Sequence, residues 1–269
     1  MYYLCIQNSE GMHYIDTHAH LYKEYYPQNF EQTVNRAIEA DVKQIILPCV
    51  TSANIPEILE AADQYPENLY PLIGLHPTDV RKETFEEELK KLKIHLSDSR
   101  VVGIGEIGID LYWDKETLAE QEIAFRTQLE WARDFKLPLS LHVRDAYAET
   151  FKIIGEFKKD GLKGAMHCFS GGIQEAKWAV EHGFYLGIGG VVTFKNNKLQ
   201  HIILEIGLDH LVLETDAPFL APVPFRGKTN ESAYIPYIAE KVAQLFEIPA
   251  ETVMQVTTAN ALKIFDRLK

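Results

Sequence analysis

The sequence predicts a single (β/α)8 barrel, and three features of the 269-residue chain favour this fold. Short apolar runs alternate with amphipathic stretches of helical length, there are eight such runs, and no linker or dinucleotide-binding glycine motif interrupts them. Strands that alternate with helices pair in parallel through right-handed crossovers. Eight such units close into a barrel of about 250 residues, which the chain length allows.

The eight predicted strands contain β-branched and aromatic residues and carry Gly or Pro at their edges. In chain order they are HYID, KQIILPCV, NLYPLIGLHP, RVVGIGEIGID, KLPLSLHV, KGAMHCF, GFYLGIGG and DHLVLETDAP. The fourth run contains GIGEIG, in which the third glycine of a dinucleotide motif is misplaced and Glu106 lies inside the loop. We therefore interpret it as the end of a barrel strand.

The segments between these runs space their apolar residues three and four positions apart, as amphipathic helices do. FEQTVNRAIEA, IPEILEAADQY and AEQEIAFRTQLEWARDFK are clear examples, and PAETVMQVTTANALKIFDRL closes the chain. We expect one domain over residues 12–269. Residues 1–11 are predicted to be an N-terminal extension outside the fold, since Met12 is a second candidate start.

Composition limits the cellular setting and the partners. Apolar residues make up 46% and charged residues 25% of the chain, and no apolar run approaches the roughly 20 residues that span a bilayer. The three cysteines lack a CxxC spacing, which indicates a reducing compartment. We therefore predict a cytoplasmic protein with no membrane association and no obligate protein partner. The net charge of −12 argues against broad capture of nucleic acid, although bound cations can reverse the charge of one cleft.

Histidines and carboxylates collect at the predicted carboxyl ends of the strands, where barrels build their active sites. His18 and His20 follow the first run two residues apart, which places them on one face of an extended strand with Asp16 in phase. Imidazole and carboxylate ligands suit Zn²⁺ or Mn²⁺, and the oxygen ligands also suit Mg²⁺. The predicted metal ligands are His18, His20, Glu106, His142, His167 and Asp216.

Six ligands exceed what one tetrahedral ion needs, so we expect two divalent ions, Mg²⁺, Mn²⁺ or Zn²⁺, about 3.5–4 Å apart. Glu106 lies in the middle strand of the set and is the predicted bridging ligand. The predicted catalytic residues are Glu106, Asp216 and Glu214. Asp216 would orient a water activated by the two ions. Glu214 would hold a histidine or that water, and the alternative is that it only meets solvent.

Substrate contacts are expected at the same rim, because loops after strands seven and eight of barrels often bind phosphate. Arginine suits bidentate phosphate contacts, although ordinary surface charge is the alternative for each basic residue. Phe169 is in phase with His167 and is the candidate for base stacking, whereas Trp113 is expected to pack a helix against the barrel. The predicted contacts are His76, Arg144, Phe169, Lys195, Arg226 and Lys228.

Together these motifs resemble a known family. IDTHAHL, GLHP, GEIGID, HVR, HCFSG, TFK, ETDAPFLAP and RGKTN are similar, in order, to the signature of the TatD-family metal-dependent deoxyribonucleases, which are amidohydrolase-like barrels. The resemblance covers about residues 14–267, and Ser232 departs from a proline common in the family. It implies metal-dependent cleavage of DNA phosphodiesters, often exonucleolytic and without sequence specificity. It also implies the same six ligands, with His76 and the RGK loop in substrate binding.

Two other functions are compatible with the same barrel. A metal-dependent amidohydrolase or deacylase would act on a small molecule or an aminoacyl ester, since a metal pair polarises a carbonyl group as well as a phosphoryl group. Many such barrels bridge their ions with a modified lysine, whereas the fourth strand here ends in Glu106, which favours the nuclease. A binding protein without catalysis is disfavoured by the complete ligand set.

Overall fold

The computed structural model describes residues 12–195 and 197–268, so the predicted extension over residues 1–11 lies outside the described residues. Eight parallel strands form one sheet in sequential order. They are β1 (Tyr14–Asp16), β2 (Val42–Leu47), β3 (Leu69–Ile73), β4 (Gly103–Asp110), β5 (Leu139–Arg144), β6 (Gly164–Met166), β7 (Phe184–Ile188) and β8 (Leu211–Leu213).

The sheet closes between its first and last strands. The Thr17 amide donates to the Leu213 carbonyl (3.0 Å), the Asp216 amide donates to the His18 carbonyl (2.9 Å), and Ala19 forms a parallel bridge with Ala217. Because these contacts join the ends of β1 and β8, the sheet is a barrel and the predicted (β/α)8 class is confirmed.

Helices follow the strands and cover the outside of the barrel. They are α1 (Phe30–Glu39), α2 (Ile55–Gln64), α3 (Phe85–Lys93), α4 (Leu118–Phe135), α5 (Tyr147–Glu156), α6 (Ile173–Glu181), α7 (Lys198–Ile206), α8 (Ile235–Phe246) and α9 (Ala250–Ile264). The last helix packs against β1 and β8. Within the described residues, no helix combines the length and the apolar character needed to cross a membrane.

Several strands are shorter than the apolar runs that predicted them. β1 ends at Asp16, β6 ends at Met166 and β8 ends at Leu213, so the histidines and carboxylates beyond them are not on strands. Cys168 and Asp216 have φ angles of 45° and 57°, which belong to the left-handed region and interrupt a ladder.

An apolar cluster fills the inside of the barrel towards the amino ends of the strands, and we call it the barrel floor. Leu72 lies on β3, and Val102 immediately precedes β4, four residues before Glu106; both side chains are buried in this cluster. Phe265, just after α9, packs near Gly103 at the start of β4. The floor comprises Ile15, Ile46, Tyr70, Leu72, Val102, Ala165, Val212, Ala261, Ile264, Phe265 and Leu268.

Candidate metal centre

Glu106 is the central residue at the carboxyl end of the barrel, and its side chain is only 2% exposed. Its Oε2 lies 3.3 Å from His18 Nε2 and 3.5 Å from His20 Nε2. Its Oε1 lies 2.8 Å from His142 Nδ1 and 3.2 Å from His167 Nε2. The two carboxylate oxygens therefore divide four imidazoles into two pairs, as a carboxylate between two metal ions does.

Two further side chains complete the group. Asp216 Oδ1 lies 3.7 Å from His20 Nε2, and His76 Nε2 lies 3.5 Å from Glu106 Oε1. We call the seven residues the His–Glu cluster: His18, His20, His76, Glu106, His142, His167 and Asp216. Three overlapping trios within it bring their ligand atoms to within 4.8 Å of one another. Neutral imidazole nitrogens and carboxylate oxygens that converge in this way fit divalent cations.

His18 and His20 converge although neither is on β1. Their Nε2 atoms are 3.4 Å apart, since the bridge formed by Ala19 keeps the backbone extended between them. The two side chains therefore lie on one face, as predicted. The cause is different, because contact with the segment after β8, rather than membership of β1, keeps the backbone extended.

The backbone around Glu106 is set by its neighbours. The Glu106 amide donates to the Cys49 carbonyl (2.9 Å), and the Cys49 amide donates to the Gly105 carbonyl (3.0 Å). Gly74 lies beside this contact, and a Cβ there would come within 2.8 Å of the Gly105 carbonyl carbon. A glycine at the end of β3 thus lets β4 approach closely enough to direct Glu106 into the cluster.

Two polar side chains orient ligands of the cluster from outside it. The Asp110 carboxylate accepts a hydrogen bond from His142 Nε2 (2.9 Å), which leaves Nδ1 facing Glu106. Ser140 Oγ lies 3.0 Å from His18 Nδ1, which leaves Nε2 facing the cluster. Such partners fix the ring orientation of metal-ligating histidines. Neither residue was predicted from the sequence, although Asp110 ends the GEIGID motif and Ser140 precedes His142 in phase.

Glu214 lies beside His167, one of the two roles predicted for it. Its Oε1 accepts a hydrogen bond from the Cys168 amide and lies 3.3 Å from His167 Nδ1. The side chain is buried, so the solvent-facing alternative is wrong. Its Oε2 lies against Gly187, where a Cβ would come within 2.2 Å of that oxygen. The glycine in β7 therefore provides the space that this carboxylate occupies.

Asp16 does not face the cluster, which corrects the expectation that it lies in phase with the histidines. Its Oδ1 accepts from the amides of Thr215 (2.9 Å) and His18 (3.2 Å), and its Oδ2 accepts from the Thr215 hydroxyl. Burial raises the pKa of Asp16 to about 7. The carboxyl joins the end of β1 to the segment after β8, because the strand ends there and the chain turns.

The charges within the cluster are strongly coupled. Burial alone would raise the pKa of Glu106, but the neighbouring imidazoles, led by His167, hold it well below its usual range. Burial would lower the pKa of His167, yet Glu106 and then Glu214 raise it well above its usual range. Burial lowers the pKa of His18. Glu106 is thus ionised at neutral pH, as a ligand for a cation must be.

Six residues of the His–Glu cluster, all except His18, line a cavity of about 800 Å³, which we call the mouth cavity. Arg81 and Arg144 are basic residues of its lining, and Tyr25, Phe219 and Leu220 contribute an apolar side. The Arg144 guanidinium carbon lies 4.0 Å from the ring centroid of Tyr112 and 5.4 Å from that of Trp113.

Trp113 also lines the mouth cavity and is 68% exposed. The expectation that it packs a helix against the barrel is therefore wrong, since the segment between β4 and α4 carries its ring outwards. His76 and Arg144, two of the predicted substrate contacts, line the mouth cavity with it.

The other predicted substrate contacts lie elsewhere. Phe169 is only 3% exposed and packs against Tyr147, with ring centroids 5.8 Å apart, so it offers no free face for a base. Lys228 lines neither the mouth cavity nor the cavity next to it, and its Nζ lies 5.9 Å from the ring centroid of Phe225. Lys195 and Arg226 line a second, neighbouring cavity of about 570 Å³.

Residues 15–266 match the model of a family described as TatD related DNase. This chain belongs to that family. The TatD-family assignment agrees with relatives of nearly equal length. YabD of Bacillus subtilis is 39% identical over 93% of this chain and 98% of its own length. YcfH of Escherichia coli is 33% identical over 94% of this chain and 96% of its own length. Both are named uncharacterized metal-dependent hydrolases.

Solved structures of TatD proteins share the fold. YjjV, a TatD homologue of Escherichia coli, superposes with a TM-score of 0.87 at 30% identity, covering 94% of this chain and 98% of its own. A TatD-family hydrolase of Entamoeba histolytica superposes with a TM-score of 0.85 at 21% identity, covering 94% and 98%. The match to an organophosphorus hydrolase variant (TM-score 0.69, 12% identity, covering 94% and 93%) indicates a shared fold alone.

Proposed function

We propose that this TatD-family chain is a metal-dependent hydrolase that cleaves DNA phosphodiester bonds, exonucleolytically and without sequence specificity. The observation that carries the proposal is the division of four imidazoles between the two oxygens of the buried Glu106. The family description and the names of the relatives support the same class of reaction. The number of cysteines and their spacing support a cytoplasmic location.

Two divalent cations, Mg²⁺, Mn²⁺ or Zn²⁺, are the proposed cofactors. The residues that would hold them are His18, His20, Glu106, His142, His167 and Asp216. When bound, such ions polarise a phosphoryl oxygen and lower the pKa of water. The donor set fits them, because the ring nitrogens that face Glu106 are those not held by Ser140 and Asp110.

The protein side chains have distinct proposed roles in the reaction. Asp216 is 14% exposed and Glu106 only 2%, so Asp216 is the carboxylate of the cluster that meets incoming water. We assign proton acceptance from the attacking water to Asp216 Oδ1. Glu214 holds His167 in position through its Oε1, and Glu106 keeps the two halves of the cluster together.

The mouth cavity suits one end of a polynucleotide. Arg144 and Arg81 offer guanidinium groups to phosphate, and His76 stands beside Glu106. Trp113 exposes a ring on which a base can stack. The net charge of −12 repels a long polyanion elsewhere, so attraction is restricted to a short segment at the cavity.

A metal-by-substrate matrix tests this proposal. Purified protein is treated with chelator, supplied again with Mg²⁺, Mn²⁺ or Zn²⁺, and assayed on end-labelled single- and double-stranded DNA. We expect chelation to abolish hydrolysis and added Mg²⁺ or Mn²⁺ to restore it. Full activity of the chelated protein contradicts the metal requirement. Amides, lactones and aminoacyl esters in the same matrix test the amidohydrolase alternative, which faster turnover of any of them than of DNA would favour.

A further inference from the structure

The second cavity, which we call the basic cavity, opens after β6 and β7. Its lining includes Ser170, Gly172, Asn197 and three cationic residues, Lys195, Lys198 and Arg226. The volume of about 570 Å³ is within the range of small-molecule sites. Lys195 and Arg226 were predicted as substrate contacts at the rim of the metal ligands; they line this separate cavity, together with Lys198, for which no role was predicted.

The three cations are available to a ligand. All are exposed, and none forms an ion pair with a carboxylate of the described residues. The Arg226 guanidinium carbon lies 4.4 Å from the ring centroid of Phe194, and stacking of this kind orients the group. Three unpaired cations around one cavity are unexpected in a chain of net charge −12. Their arrangement favours an anion.

The backbone adds donors to the same cavity. Helices α6 and α7 both begin at it, since Gly172 and Asn197 are the residues that precede them. Glu175 Oε2 accepts from the Gly172 amide (2.9 Å), and the Asn197 side chain accepts from the Leu199 amide (2.9 Å). These caps satisfy one amide each. Glu175 already brings a carboxylate to the start of α6, whereas the first turn of α7 contains no acidic residue, so the free amides and the dipole of α7 favour negative charge there.

The basic cavity and the mouth cavity are neighbours. Cys168 lines the basic cavity, and its amide donates to Glu214, which also contacts His167 of the cluster. Leu220 lines the mouth cavity, and its carbonyl oxygen packs so close to Gly190 that a Cβ there would come within 2.2 Å of it. Cys168 and Leu220 therefore connect the linings of the two cavities through Glu214 and Gly190.

We propose that the basic cavity binds a nucleotide phosphate next to the one that is hydrolysed. The inference rests on the proposed DNA substrate and adds a subsite to it. A strand whose scissile phosphate lies at the His–Glu cluster would cross Leu220 and place another phosphate among Lys195, Lys198 and Arg226. The same cations would also bind the phosphate of the mononucleotide released by the reaction. The experiment distinguishes a phosphate of the bound strand from that of the released product.

The test compares two double variants that lose the same charge. Lys198→Ala with Arg226→Ala empties the basic cavity of two cations, and Lys158→Ala with Lys159→Ala removes two exposed lysines that follow α5. The substrates are a labelled thymidine pentamer and thymidine 5′-(p-nitrophenyl) phosphate, which contains one phosphate. We expect the cavity variant to lose at least about tenfold more kcat/KM on the pentamer than on the single-phosphate ester, about 1.4 kcal/mol. In the control double variant, any change in kcat/KM should be the same for both substrates.

Two further arms identify the source of the phosphate. A pentamer with a neutral methylphosphonate beside the scissile position should reproduce the loss with the unmodified protein if a neighbouring nucleotide binds. Thymidine 5′-monophosphate should inhibit the unmodified protein more than the cavity variant if the product binds. Equal losses on both substrates, or the same selective loss in the control pair, overturn the proposal.

Failure of the proposed function is distinguishable from failure of this inference. Pentamer binding to Glu106→Gln protein, followed by fluorescence anisotropy, requires no hydrolysis. Weaker binding after the two cavity substitutions supports the subsite even if no oligomer is cleaved. Unchanged binding overturns the subsite whether or not the protein is a nuclease.

Discussion

The two ends of the barrel interior carry side chains of opposite character. At the floor, Val102 just before β4 and Phe265 just after α9 are buried among apolar neighbours. Glu106 of β4, four residues after Val102, is equally buried but surrounded by imidazoles. Burying the floor residues is favourable by about 25 cal/mol for each Å² removed from water. Burying a carboxylate costs free energy unless charges and hydrogen bonds compensate for it.

Within one set of strands, the apolar floor therefore contributes stability, and the mouth contributes the functional groups. In the mouth, Glu214 Oε2 is buried without a hydrogen-bond partner among the residues described, and His167 Nδ1 has only the ionic contact with Glu214 Oε1 at 3.3 Å. Such atoms destabilise a fold. The barrel tolerates them because its stability comes from apolar packing elsewhere, and substitutions at the two ends should therefore have different consequences.

The largest expected effect is on activity at the mouth. Glu106→Gln keeps the shape of the side chain but removes the charge that faces two pairs of imidazoles. We expect kcat/KM on DNA to fall at least about a thousandfold, because several kcal/mol of charge stabilisation depend on the bound ions. Steady-state kinetics measures the loss, and circular dichroism should show a retained fold.

Glu88→Gln is the matched control for that substitution, since Glu88 bonds to Ser52 rather than to the cluster. It should change kcat/KM by less than about threefold. If Glu106→Gln kept more than about a tenth of the activity, Glu106 would not be the centre of the site.

At the floor, the expected loss is of stability. Phe265→Ala removes a fully buried ring and should lower the free energy of unfolding by about 3–5 kcal/mol. Activity per folded molecule should remain, because the cluster lies at the other end of the barrel. Urea denaturation measures the change. Ile94→Ala, at a side chain that is 75% exposed, should cost less than about 0.5 kcal/mol; a similar loss in both variants would show that the floor has no special role.

A smaller effect is expected for a residue that acts through a ligand. Asp110→Asn replaces the acceptor of the His142 Nε2 hydrogen bond and disfavours the tautomer that presents Nδ1 to the cluster. We expect a loss of about 10–100-fold in metal affinity, measured by competition with a chelating dye. Asp114→Asn is the control, because Asp114 accepts from the backbone amides of Glu116 and Thr117 and contacts no histidine. Equal losses in both variants would rule out a role through His142.

The smallest effect concerns an ion pair in the loop before β4. The hydrogen bond from Arg100 lowers the pKa of Asp98 to about 2. Because this value lies below that of an unfolded aspartate, the stabilisation is present above about pH 4 and disappears as pH falls towards 2. Both side chains are partly exposed, so Asp98→Asn should cost about 0.5–1 kcal/mol at pH 7 and almost nothing at pH 2. Urea denaturation at both pH values measures it, and a pH-independent cost would contradict the account.

The sequence by itself determined the fold class and the composition of the cluster. Alternating strand and helix periods predicted a barrel, and a barrel brings the carboxyl ends of its strands to one rim. Residues as distant as His18 and Asp216 could therefore be placed together from their positions alone. Their separation by nearly 200 positions did not matter, because the topology of the fold brings them together.

Only the tertiary structure decided where each side chain points beyond the last strand residue. Ser140 and Asp110 became partners of histidines, Asp16 turned to Thr215, and Phe169 became buried. These outcomes depend on turns such as that at Asp216 and on contacts between segments that are far apart in the chain. Side chains alternate between the two faces only as long as the backbone remains in a hydrogen-bonded strand. Beyond the strand, packing and hydrogen bonding set the direction of a side chain, and the local sequence does not specify them.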